Sequence, residues 1–185
     1  MSANQWETVN PVSSPAGDVT LTALLVLACV LIVAVYLEVR EHRIPNWLTF
    51  SGMAIGLLLG FARGMPFLRE SVVGLIIGFG FLFVFYMFGG VGGGDVKLMG
   101  AVGALMGTHL IKPVLFFTAL VGAIMALTVL VWRRDFWVGI EFTLKKLLFW
   151  RRSDNSALVP GTPVTIPYGI AIAAGCLVAL YLGAG

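Results

Sequence analysis

Apolar residues along this chain run in long blocks, with little of the strict alternation of strands or the one-sided spacing of soluble helices. Six blocks stand out, at residues 19–37, 47–62, 72–88, 96–111, 114–132 and 166–182. A transmembrane helix needs about 20 mostly apolar residues, and fewer where the helix is short or the bilayer thins. The blocks at 19–37 and 114–132 are the strongest. The Gly-rich block at 96–111, interrupted by Thr108-His109, is the weakest. Residues 63–70 read as a polar turn between the second and third blocks. The pattern predicts an all-α membrane protein, a bundle of about six transmembrane helices.

Composition agrees with the pattern. Of 185 residues, 59% are hydrophobic and 11% charged, and the mean hydropathy is +0.97. A soluble globular domain carries about 25% charged residues, so water is not the main solvent of this chain. The distribution of basic residues then sets an orientation. With the N-terminus outside, nine of the twelve Lys and Arg residues fall on the inner side: Arg40, Arg43, Lys97, Arg133, Arg134, Lys145, Lys146, Arg151 and Arg152. Only Arg63, Arg69 and Lys112 fall outside. This is the positive-inside bias of membrane proteins. Removing the weak fourth span would carry the six basic residues of 133–152 to the wrong side. The expectation is therefore a short extracytoplasmic tail at 1–18, a transmembrane domain at 19–185 and both termini outside. Residues 1–18 contain no Lys or Arg, so the first apolar block reads as a retained helix, not a cleaved signal.

Two further patterns refine the picture. Trp137, Ile140, Leu144, Leu147 and Leu148 recur at helical spacing among Lys145, Lys146, Arg151 and Arg152. This predicts an interfacial amphipathic helix over 135–152 on the anionic inner leaflet, in preference to a nucleic-acid site. Glycines repeat four apart at Gly52/Gly56, Gly74/Gly78 and Gly103/Gly107, a spacing that lets helices approach closely. Cys29 and Cys176 lie in apolar stretches and read as buried small hydrophobes. Without a CxxC or a His/Cys cluster, neither a metal nor another cofactor is expected.

Only nine acidic residues exist. Glu7, Asp18, Glu70, Asp135, Glu141 and Asp154 fall in the tail, a turn or the long inner loop, as solvated groups. Glu38, Glu41 and Asp95 instead lie where apolar helices meet the inner face. Ionisable groups held against hydrocarbon are costly and mark function. Asp95 sits in Gly89-Gly90-Val91-Gly92-Gly93-Gly94-Asp95-Val96-Lys97, where glycines let a substrate backbone come near. A phosphate-binding loop fails here because Asp95 stands where lysine is required and no strand precedes it. A dinucleotide fingerprint fails on glycine register. The second and third helices form a hairpin between Glu38 and Asp95, which returns both carboxylates to the inner face. Two carboxylates sharing one proton can serve as base toward water and acid toward a carbonyl and its leaving amine.

Three blocks resemble a known family. Glu38-Val39-Arg40-Glu41-His42-Arg43-Ile44-Pro45-Asn46-Trp47-Leu48-Thr49 is similar to the first block of the bacterial type IV prepilin peptidases. Gly92-Gly93-Gly94-Asp95-Val96-Lys97-Leu98-Met99 resembles their Gly-x-Gly-Asp block, and Thr165-Ile166-Pro167-Tyr168-Gly169-Ile170-Ala171 their last-helix motif. The resemblance covers roughly residues 20–183 in the same order and fits the short, tight-adherence type that has no N-methyltransferase domain. It implies an aspartyl endopeptidase of the bacterial inner membrane that cuts the leader from type IV or Flp-type prepilins near the cytoplasmic face. The substrate would carry its leader ahead of a hydrophobic helix, inside the lipid bilayer. Glu38 and Asp95 would then be catalytic, and Gly92, Gly93, Gly94, Lys97, Pro45 and Asn46 would shape the loop and substrate site. Locally, Pro45 cannot extend the first helix and Asn46 suits a helix cap. Lys97 could contact lipid phosphate or pair with Asp95. The family has aspartate at the position of Glu38, and commonly proline at Ile170. That departure supports a second reading, a non-enzymatic pilin or secretion assembly factor. A small transporter would call for paired repeats or charges within the helices, and neither is evident.

Overall fold

The computed structural model describes residues 15–132 and 168–183; the helix expected over 135–152 lies outside them. Five helices and no strand make up the described residues: α1 (Pro15–Glu41), α2 (Asn46–Arg63), α3 (Met65–Met87), α4 (Gly93–Trp132) and α5 (Tyr168–Gly183). Three of these, α1, α3 and α4, hold stretches long and apolar enough to cross a membrane, and α5 is a shorter apolar helix.

Each junction has an identifiable cause. α1 ends where His42 turns left-handed, at φ 52°, and its N–H donates to the Glu38 carbonyl at 2.9 Å. This is a one-residue αL cap, and Pro45 three residues later prevents the helix from resuming. α2 then starts at Asn46, with Pro45 in the cap position and no side-chain capping bond. The expectation that Asn46 caps α2 is therefore wrong. Asn46 is already inside the first turn, where its side chain is free to bond elsewhere.

The polar turn expected at 63–70 shrinks to Gly64. Its φ of 114° and ψ of 168° need no more than one glycine, and Pro66 suits the first turn of α3. Arg63 lies over the Phe67 ring at 5.8 Å, and the polar residues of the expected turn fall within α2 and α3. α3 closes in a Schellman motif: Gly89, at φ 76°, donates to Tyr86 at 2.9 Å, and Gly90 donates to Phe85 at 3.0 Å.

α4 combines the blocks expected as spans four and five. It is broken at Gly107, where φ is 67° and ψ is −171°. A Cβ placed on Gly78 would meet both the Met99 carbonyl and Ile111 Cδ1. Twelve residues of straight helix separate their ends by about 18 Å, so the chain must turn back at Gly107. The break was expected at Lys112-Pro113, yet Pro113 lies within the second leg. Glycine at a positive φ reverses a chain more readily than proline can, because proline fixes φ near −65°.

α4 packs against all four other helices and forms the centre of the bundle. The glycine spacing acts as expected. A Cβ on Gly56 would lie 2.8 Å from Ala104 backbone carbon, and one on Gly52 3.1 Å from Ala101 Cβ. One on Gly74 would strike the Gly103 carbonyl oxygen. Leu27, Leu82, Leu98, Met99, Val102, Ile111 and Ile172 fill the core. Outside it, Ile32, Leu58, Ile76, Phe116 and Leu177 are each more than 60% exposed. An apolar surface of this extent suits lipid, not water. Both cysteines are free, but only Cys176 is buried; Cys29 faces outward.

Candidate active site

The last turn of α1, the Gly-rich loop and the first turn of α4 enclose a cleft of about 460 Å³. Glu38, His42, Arg43, Ile44 and the run from Gly89 to Asp95 line it. Glu38 and Asp95 are the two acidic residues of that lining, and they are 5% and 6% exposed. The cleft thus brings together the two carboxylates singled out from sequence, with Gly92, Gly93 and Gly94 in the same lining. Glu41 is exposed and does not line it.

Each carboxylate is held by one oxygen at the start of a helix. Asp95 is the third residue of α4. Its backbone N–H donates to the Gly92 carbonyl at 3.1 Å, while its Oδ2 accepts from the Gly92 N–H at 3.2 Å. The second bond is half of a capping box, the third-residue carboxylate reaching back to the cap amide, while glycine at the cap leaves the first bond to the backbone. Gly92 must be small here, since a Cβ would lie 2.9 Å from Asp95 Oδ2. Gly94 gives room on the other side, where a Cβ would come within 3.0 Å of Ile44 Cβ. The glycine loop therefore fits Asp95 and the α1–α2 turn closely together.

Glu38 reaches across to α5. Its Oε1 accepts the Gly169 N–H at 3.2 Å in a buried bond between residues 131 apart in sequence, and the Tyr168 amide also faces it. The first amides of a helix have no partner within the helix, and its positive end favours a carboxylate. The second oxygens, Glu38 Oε2 and Asp95 Oδ1, are buried and accept no hydrogen bond from the described residues. Buried polar atoms are rarely left in that state without a reason. Here both belong to carboxylates of one cleft, leaving one lobe of each for a third party.

Lys97, Asn46 and Pro45 do not line the cleft. Lys97 Nζ donates to Asn46 Oδ1 at 2.8 Å and lies 5.5 Å over the Phe50 ring, so it bonds neither Asp95 nor, through that contact, lipid. It ties the start of α4 to the start of α2. Tyr168 and Gly169 are the residues that sequence reasoning left out of the site. They stand in the third block, but only the placement of α5 against α1 shows that Gly169 meets Glu38.

A model of the type IV leader peptidase family matches residues 25–127, more than half of the chain and both carboxylates. The chain belongs to the type IV leader peptidase family. Among curated relatives, the prepilin leader peptidase/N-methyltransferase of Aeromonas hydrophila is 33% identical over 121 residues, 62% of this chain and 41% of that protein. The protein of the same description from Neisseria gonorrhoeae is 25% identical over 139 residues, 71% of this chain and 49% of that protein. That from Escherichia coli strain K12 is 27% identical over 117 residues, 59% and 52% of the two chains. The chain thus spans about half or less of the length of these relatives. No solved structure matches. The first turn of α5, with Gly169, lies beyond the part matched by the family model.

Proposed function

We propose that this chain is an aspartyl-type endopeptidase that removes the leader peptide of type IV or Flp-type prepilins at the cytoplasmic face of a bacterial inner membrane. The observation that carries this reading is the pair of buried carboxylates in one cleft, each anchored through one oxygen and without a partner at the other among the described residues. A water between Glu38 Oε2 and Asp95 Oδ1 would lose a proton to the ionised partner and attack the scissile carbonyl. The protonated partner would donate to the carbonyl oxygen, and the captured proton would pass to the leaving amine. The Gly89–Gly94 loop, glycine at every position but Val91, offers a largely bare backbone against which an extended leader can lie.

Membership of the family supports prepilin as the substrate class, with its hydrophobic helix held in the bilayer. The fold-back at Gly107 supports six crossings, with α4 supplying two of them. The positive-inside distribution supports a cleft on the cytoplasmic side and both termini outside. The second reading, an assembly factor that binds prepilin without cutting it, is favoured by one observation, glutamate at position 38. Co-expression with a prepilin separates the two. A mobility shift of the prepilin with the wild-type chain, absent with Glu38→Gln, supports the peptidase. Co-purification of uncut prepilin with both forms would replace it with the assembly factor.

A further inference from the structure

We propose that Gly169 is a positioning residue for Glu38, and that it is what allows glutamate to serve at this position. The proposal rests on the peptidase reading and adds to it a residue outside the range that the family model matches. Glutamate reaches about one methylene further than aspartate, far enough here to meet the first turn of α5. There the Gly169 N–H donates to Oε1 at 3.2 Å. The other face of Gly169 makes room, for a Cβ would strike Glu38 Oε2, pass 3.2 Å from the carboxyl carbon and lie 3.6 Å from Ile44 Cδ1. The same residue therefore holds one carboxylate oxygen and leaves room for the other, which is buried without a partner among the described residues.

This geometry makes residues 38 and 169 interdependent. Alanine at 169 keeps the backbone N–H, so Gly169→Ala removes only space. Gly169 lies within α5 and is not among the positive-φ glycines, so alanine fits its backbone and is the better helix former. Without the contact to Glu38, Gly169→Ala would raise stability. With it, the methyl displaces the carboxylate, and a displacement near 1 Å costs about a hundredfold in rate. Aspartate at 38 withdraws from α5 and frees the space.

The test uses four full-length proteins in detergent: wild type, Gly169→Ala, Glu38→Asp and the double variant. Cleavage of a prepilin and thermal melting are measured for each. Gly169→Ala is expected to lower kcat about a hundredfold with KM nearly unchanged, and to lower the melting midpoint. Beside Glu38→Asp, the same alanine should change kcat less than about threefold, well inside that displacement cost, and should raise the midpoint. Equal losses in both backgrounds, or no loss beside Glu38, would overturn the proposal. If no variant cleaves, the peptidase reading fails, and melting alone decides the contact. A midpoint lowered only beside Glu38 then upholds the coupling, and one raised in both backgrounds refutes it.

Discussion

Glu38 and Asp95 divide their oxygens in the same way, one bonded to a helix-start amide and one buried without a partner among the described residues. Such a division fixes a side chain while leaving it reactive. Loss of a general acid or base typically costs 10²–10⁴-fold, so Glu38→Gln should reduce prepilin cleavage by at least about 10² while the protein remains folded, as assayed by cleavage rate and melting midpoint together. Lys97→Met should behave differently. It removes an exposed bond to Asn46, with an expected cost of about 1 kcal/mol in stability and less than about tenfold in rate, since no cleft group is lost. Both carboxylates were legible in the sequence because an acid set against an apolar block is costly to keep and is rarely incidental. Gly169 was not legible as a partner. Its bond to Glu38 joins residues 131 apart and depends on where α5 packs, which no local pattern encodes.

Among the elements, α4 sets the geometry, and glycine determines where it bends and how near its neighbours come. Gly107→Ala should lower stability by about 1–3 kcal/mol, the usual cost of forcing a side chain into a sparsely populated backbone region. Gly103→Ala should cost about 1–3 kcal/mol by overpacking, because its Cβ would strike the Gly74 carbonyl oxygen. Melting in detergent checks both; an unchanged midpoint for Gly103→Ala would contradict the close α3–α4 contact. The existence of α1, α2 and α3 followed directly from apolar runs of sufficient length. Their boundaries followed less well, because polar residues at 63–70 suggested a loop where a single glycine suffices. The fourth break was misplaced for a related reason. Proline marks a missing hydrogen bond, whereas the reversal requires a positive φ, and only Gly107 provides it.

For the molecule as a whole, an apolar exterior and a polar cleft at one end imply a fixed orientation in the bilayer. His109 and Glu70 form a pair 3.7 Å apart beside the Gly107 bend, at the end of α3 opposite the cleft. In a background lacking Cys29 and Cys176, Arg43→Cys should react with an impermeant thiol reagent only from the cytoplasmic side. His109→Cys should react only from the outside. Labelling of both from one side would contradict the proposed arrangement of six crossings. The central claim, however, is that two carboxylates in one cleft cut a peptide bond. Its most direct test is mass spectrometry of a purified prepilin incubated with the purified chain, wild type or Asp95→Asn. The wild type should release the intact leader and a shortened pilin, while Asp95→Asn leaves the prepilin whole. Equal processing by both would contradict the account.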